Sequence, residues 1–302
     1  MAKLLCFGSM NIDEVYSVDH IVLPGETLAS TGVQVFPGGK GTNQSVALAQ
    51  AGGNAFLAGL IGGDGLFLTK LAESAGVDAG LVEVSPLPTG KAIIQVSALG
   101  QNSIVFNQGA NGAITEEFIR RVLAPFDSGD YIVLQSEITL PHRIIELAAG
   151  KGMTVAFNPS PMNHAASLCD MAKVDYLFIN EVEGHDLTGK TEPEEILDAV
   201  LASYPNTRVI LTLGGNGAVY RDSAEEVRQG IFQANAVDTT AAGDTFTGYF
   251  LAAVAAGKTP TEAMRLASKA SAVTVSRKGA APSIPSLEEV KNTELEELPF
   301  GG

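Results

Sequence analysis

Tryptophan is absent from this chain, cysteine occurs twice and histidine four times, and basic residues are outnumbered, with 19 Lys and Arg against 34 Asp and Glu. Each shortage excludes something. Cys6 and Cys169 lie in apolar stretches and form no C-x-x-C pair, so neither a disulfide framework nor a zinc site is expected. A net charge of −15 without a basic run leaves no footprint for nucleic-acid phosphates, and no nucleic-acid partner is expected. Apolar residues nowhere run for the roughly 18 positions a membrane span requires. The apolar start Leu4–Phe7 is followed too soon by Asn11, Asp13 and Glu14 for a signal peptide. The expectation is a soluble, cytoplasmic protein with no membrane partner.

Hydrophobic residues make up 45% of the 302 positions, enough for a sizeable core. The 33 glycines gather in short clusters, as they do at tight turns and where a backbone approaches a ligand. The rhythm along the chain is strand, turn, helix. Strands are predicted at Leu4–Phe7, Ala55–Ile61, Tyr131–Leu134, Thr154–Phe157, Tyr176–Ile179 and Val209–Leu213. Helices are predicted at Thr42–Ala51, Leu66–Ala75, Leu140–Ala149, Glu192–Ser203, Gly243–Ala256 and Thr261–Val275. Near-continuous apolar strands alternating with helices predict an α/β domain over residues 1–302, its mostly parallel sheet covered on both faces. Two stretches break the rhythm, 14–36 and 89–107, the latter reading as strands Ala92–Ala98 and Ser103–Asn107. They predict a small separate sheet serving as a lid, or else an edge extension of the main one. The acidic, then Pro/Gly-containing tail from Lys291 is expected to be frayed or loosely docked.

Four segments carry candidate chemistry. Asp238-Thr239-Thr240-Ala241-Ala242-Gly243-Asp244 leads into an apolar helix. Small residues there let backbone N–H groups and the positive helix end face an anion, with Asp244 placed to act as a base. The same spacing also suits an ordinary capped helix. Phe36-Pro37-Gly38-Gly39-Lys40-Gly41-Thr42-Asn43 is rich in glycine but is not a Walker loop. It suits a polyhydroxylated ligand, or simply a turn into a helix. Gly8-Ser9-Met10-Asn11-Ile12-Asp13 is read as ending the first strand, with Asn11 and Asp13 on one side by the period of two. That pair can bind adjacent hydroxyls, or it can merely end a strand. Asn180-Glu181-Val182-Glu183 and Thr212-Leu213-Gly214-Gly215-Asn216-Gly217 close two parallel strands, where open α/β sheets bind ligands. Plain βα turns would look the same.

Taken together, these segments resemble the ribokinase family, the PfkB-type carbohydrate kinases, in the family's order from Leu4 to Pro285. Both signatures are present, Gly38-Gly39-x-Gly41-x-Asn43 and Asp238–Asp244. Leu134-Gln135-Ser136-Glu137 and Arg277-Lys278-Gly279-Ala280 place the chain nearest the members that phosphorylate D-ribose. The resemblance implies a ribokinase-like fold and transfer of the ATP γ-phosphoryl group to a sugar's primary hydroxyl, D-ribose giving ribose 5-phosphate. Alternatives are 2-deoxyribose, a nucleoside, fructose or a sugar acid as acceptor, and a non-catalytic sugar or nucleotide sensor.

By the same resemblance, Asp244 takes the proton while Ala241, Ala242 and Gly243 form an anion hole. Asn11, Asp13, Gly39, Lys40, Asn43 and Glu137 hold the sugar. Asn180, Thr212, Gly214, Gly215, Asn216, Gly217, Gly243 and Ser268 line the ATP site, and Glu183 positions Mg²⁺ through water. Asp238, Thr240, Thr274, Arg277, Gly279 and Ser283 are implied to hold K⁺, mainly by carbonyls, and a homodimer through the lid is implied. Three positions depart from the pattern: Ser268, where relatives carry His or Asn, the Gly65-Leu66-Phe67-Leu68 stretch, and the looser Gln135-Ser136-Glu137 match.

Overall fold

The main sheet forms because its strands are apolar on both faces. In the computed structural model, which describes residues 2–301, Leu4 and Cys6 of β1 (Lys3–Phe7) enter one buried cluster while Leu5 and Phe7 enter the other. A strand with no polar side must be covered twice.

The chain continues through β2 (Asn11–Val18), β3 (Gly32–Gly38), α1 (Lys40–Gln50), β4 (Asn54–Ile61), α2 (Leu66–Ser74) and β5 (Asp78–Val84). Next come β6 (Gly90–Ser97), β7 (Asn102–Asn107), α3 (Glu116–Leu123), β8 (Tyr131–Gln135), α4 (Pro141–Gly150) and β9 (Thr154–Asn158). Then follow α5 (His164–Ser167), β10 (Tyr176–Asn180), α6 (Glu181–Thr188), α7 (Pro193–Ser203) and β11 (Arg208–Thr212). The order ends with β12 (Ala218–Arg221), β13 (Glu226–Gln229), α8 (Ala242–Ala255), α9 (Pro260–Val275) and α10 (Leu287–Asn292).

The main sheet has nine strands in the order β13-β12-β11-β10-β9-β8-β1-β4-β5. Every pairing from β11 to β5 is parallel, and β12 and β13 add an antiparallel edge. One face is covered by α1, α8 and α9 through Val46, Phe246, Phe250, Met264 and their neighbours. The other is covered by α3, α4 and α7 through Phe118, Ile144, Ile196 and theirs. Each such side chain contributes about 2 kcal/mol by leaving water.

The separate small sheet is present, in the order β3-β2-β6-β7. Its register places Asp13, Phe36, Ala92 and Phe106 in one row, and Glu14, Val35, Ile93 and Val105 in the next, on the opposite face.

Several expectations change. Asn11 and Asp13 do not end the first strand: β1 stops at Phe7, and the two residues open β2 in the small sheet. The period-two argument holds, but on a different strand. Strands β5, β12 and β13 and helices α3, α5, α6 and α10 had no predicted counterpart. β5 and β13 are half-polar edge strands with little buried surface, so their apolar pattern is weak. The tail is docked rather than frayed. Leu298 N donates to Ile231 O and Gln233 N to Glu296 O, both at 2.8 Å, and Gly301 N reaches Asn216 O at 3.2 Å.

Candidate active site

β1, β8, β10 and β11 run parallel and deliver Ser9, Glu137, Asn180 and Thr212 at or just past their carboxyl ends, the edge where open α/β sheets bind ligands. The starts of α1 and α8 meet them there.

The start of α8 is set by Ala241, whose φ of 63° is left-handed, a conformation costing a residue with a Cβ about 1 kcal/mol. The turn leaves α8 without a side-chain cap. Ala242 N bonds Thr239 O, while the N–H groups of Gly243 and Asp244 have no acceptor among the described residues. Unpaired N–H groups at the positive end of a helix form an anion site. Asp244 sits beside them, its Oδ2 accepting from Asn43 Nδ2 and its Oδ1 from Gln44 Nε2, each at 2.9 Å. Burial raises the Asp244 carboxyl above its usual range, opposed by Lys40 and by these two amides.

The start of α1 depends on Gly39, with φ 90°. A Cβ there would lie 2.7 Å from Ser9 O and 2.8 Å from Asn11 N, so only glycine lets the helix press on the β1–β2 connection. Lys40 follows and sits 3.6 Å from Glu137 Oε1. Burial works against the Lys40 charge, but Asp244, Glu137 and Glu183 outweigh it and hold the ammonium above its usual range. Burial, reinforced by Glu137 and opposed by Lys40, pushes Asp13 up to about 6. Glu137 Oε2 accepts from Ser9 Oγ at 2.5 Å and Asn11 Nδ2 at 3.4 Å. Asn43 Oδ1 is buried with no partner, an acceptor of the kind a ligand hydroxyl satisfies.

Two cavities adjoin. One of about 180 Å³ is lined by Lys40, Asn180, Glu183, Ala241, Gly243 and Asp244 among others. The other, about 420 Å³, is lined by Gly214, Gly215, Gly217, Phe232, Ser268 and Val275 among others, and the two share Thr212, Thr239, Ala242 and Gly243. Asn216 does not line the second cavity; its carbonyl holds the tail. Ser268 does, but its hydroxyl donates to Gly230 O at 2.8 Å.

Asn180 and Glu183 form a capping box: Asn180 Oδ1 accepts from Glu183 N at 2.9 Å, and Glu183 Oε2 from Asn180 N at 2.8 Å. Glu183 Oε1 accepts no hydrogen bond among the described residues. A carboxylate oxygen free at the cavity suits a hard cation or its water.

The six residues with an implied K⁺ role split into two loops held by backbone. Val237 N and Asp238 N both donate to Val275 O, and Gly279 N donates to Asp238 Oδ2 at 3.0 Å. Asp238 Oδ1 also accepts from Thr240 N and Oγ1. The hydroxyls of Thr274 and Ser283 donate to Ala270 O and Ala280 O, and Arg277 pairs with Glu289. The side chains are therefore occupied, which leaves carbonyl oxygens as the donors. Carbonyl oxygens are donors of the kind a hard cation takes.

Sequence reasoning passed over Gln44 and Asn111. Asn111, fully buried, donates from Nδ2 to Asn11 Oδ1 at 2.8 Å and accepts from Met10 N at 3.1 Å, so it sets which way the Asn11 amide points. The available signal for Gln44 was Thr42-Asn43-Gln44-Ser45, four polar residues opening a helix and all buried.

A family model described as pfkB family carbohydrate kinase matches residues 1–287. A ribokinase of Haemophilus influenzae is 37% identical over 300 residues, covering 95% of this chain and 96% of that one. The crystal structure of a Cryptococcus neoformans ribokinase in complex with ADP superposes with a TM-score of 0.84 at 34% identity, over 96% of this chain and 99% of that one. The structure of an Arabidopsis thaliana ribokinase complexed with ribose and ATP superposes with a TM-score of 0.85 at 30% identity, over 96% and 98%.

Proposed function

This chain belongs to the pfkB family of carbohydrate kinases, and on that premise we propose that it transfers the γ-phosphoryl group of ATP to the primary hydroxyl of D-ribose. The observation that carries this reading is the Asp244 carboxylate, held by two amides in the smaller cavity, beside the unpaired N–H of Gly243 at the wall the two cavities share.

In this reading Asn11, Asp13, Asn43 and Glu137 bind the sugar hydroxyls, with Gly39 giving the backbone its close approach. Asp244 accepts the hydroxyl proton as the bond to phosphorus forms, so a carboxylate of moderate basicity suffices. Lys40 and the unpaired N–H groups of Gly243 and Asp244, rather than that of Ala242, which Thr239 O takes, stabilise the negative charge on the transferring group. The larger cavity takes the nucleotide, its glycine loop and Thr212 against the phosphates and Ser268 at the base end. Asn180 and the free oxygen of Glu183 would hold hydrated Mg²⁺, which when bound with ATP neutralises phosphate charge. K⁺ at the carbonyls of the 238–240 and 274–283 loops would order the dipoles that lead into α8.

The outer face of the small sheet exposes Val33, Val35, Ile93 and Val105, and pairing with a second copy covers them; we place the enzyme in the cytoplasm as a homodimer. The function is tested by ADP release from ATP with Mg²⁺ and K⁺, over a panel of ribose, 2-deoxyribose, fructose and nucleosides. Ribose is expected to give the highest kcat/KM. Asp244→Asn is expected to lose about 10²–10⁴-fold in kcat. Near-normal turnover of a folded variant rejects the base assignment, and ribose binding without ADP formation favours a sensor.

A further inference from the structure

Five helices of this protein carry an acidic residue at their third position, Glu183, Glu195, Asp244, Glu262 and Glu289, and only Glu183 and Glu262 turn back to cap their own helix. Glu183 of α6 reaches back to Asn180 N at 2.8 Å, and Glu262 of α9 reaches back to Thr259 N at 2.9 Å. Both close capping boxes, the ordinary fate of an acid at that position. Asp244 holds the same position in α8 but does not turn back. Its two oxygens are taken across the cavity floor by Asn43 and Gln44 of α1.

The Gln44 amide is itself fixed. It is fully buried, and its Oε1 accepts from Gln135 Nε2 at 2.6 Å. Turning it over would set one amide NH₂ against another and aim its carbonyl at the carboxylate, two repulsive contacts in place of two hydrogen bonds. Gln135 is equally buried at the end of β8, its Nε2 lying 3.7 Å from Cys6 Sγ. The chain Gln135–Gln44–Asp244 thus anchors the carboxylate to the middle of the sheet.

We infer that Gln44, oriented by Gln135, is a positioning residue that holds the Asp244 carboxylate across to α1 and off its own helix start. This rests on the reading of Asp244 as the base. An untethered carboxylate would be free to turn toward the helix start and lose its aim at the sugar hydroxyl. Other titratable groups face it: Lys40 on α1, Glu137 beyond β8 and Cys6 on β1. None of these donates a hydrogen bond to it.

Steady-state kinetics with ATP and ribose test the inference on Gln44→Leu, Gln135→Leu, their double variant and Asp244→Asn. Gln44→Leu is expected to lower kcat about tenfold or more while the ribose KM stays within about threefold. Gln135→Leu should give a smaller loss in the same direction, and the double variant should be no worse than Gln44→Leu alone, since both act through one chain. Added to Asp244→Asn, Gln44→Leu should cost nothing further. Wild-type kcat in Gln44→Leu, or multiplicative losses in the double variant, overturns the positioning role while Asp244→Asn remains inactive. Activity in Asp244→Asn overturns the base reading instead. Should Gln44→Leu fail to bind ribose by calorimetry, Gln44→Met and Gln135→Met carry the same comparison.

Discussion

Asn43 Nδ2 donates to Asp244 Oδ2 at 2.9 Å across 201 positions of sequence, joining the first turn of one helix to the first turn of another. The amide has two consequences. It aims the carboxylate, and it favours the ionised form against the burial that raises the acid's pKa.

The pH profile of kcat should follow from that balance. Burial lifts Asp244 above the ordinary aspartate range, and Lys40, Asn43 and Gln44 oppose it. A base must be unprotonated, so turnover is expected to fall as pH drops through this raised value, at a higher pH than a solvated aspartate would give. In Asn43→Leu one opposing hydrogen bond is gone, and the acidic limb should move further up. A limb that stays put would dissociate Asn43 from the base. The limb is read from initial rates measured upward in pH from the unperturbed aspartate value of about 3.9.

Asp13 sets substrate binding against stability. Its folded pKa, about 6, lies above the ordinary aspartate value of 3.8, so folding favours the neutral acid. The contribution of this group to stability is therefore complete below the unfolded value and is lost as pH rises through about 6. Asp13→Asn mimics the neutral form. At pH 8 the ligand-free variant should be more stable by about 1–3 kcal/mol, with the gain vanishing near pH 4. Ribose KM should rise at least about tenfold, as a charged acceptor is lost. Denaturant titration at the two pH values checks the first part, and kinetics the second.

Glu297 links the tail to the nucleotide cavity. Its Oε1 accepts from Gln229 Nε2 at 2.8 Å and its Oε2 from Arg265 Nε at 2.9 Å. The flanking backbone pairs with Ile231 and Gln233, which line that cavity. Glu297→Ala should raise the ATP KM about fivefold, equivalent to roughly 1 kcal/mol, and leave the ribose KM unchanged. Equal change in both constants, or in neither, would separate the tail from nucleotide binding.

The alternating apolar strands, the glycine punctuation and the helix ahead of Asp244 were legible in the sequence because each depends on residues within one turn or one strand. So was the small second sheet, and most candidate site residues could be named because they sit in short contiguous motifs. The half-polar edges β5 and β13 were not, because an edge strand buries too little to impose a pattern. The placement of Asn11 and Asp13 on β2 was missed for a different reason: Gly8-Ser9 marks the end of the first strand, but the stretch assigned to the small sheet was begun only at Glu14. Gln44, Asn111 and the docking of Glu297 were invisible for another cause. Each depends on partners from 32 to 200 positions away, and a buried amide declares itself only once the fold has brought its donor and acceptor within about 3 Å. The sequence determined which groups are available to the proposed site; the tertiary structure decided which way they point.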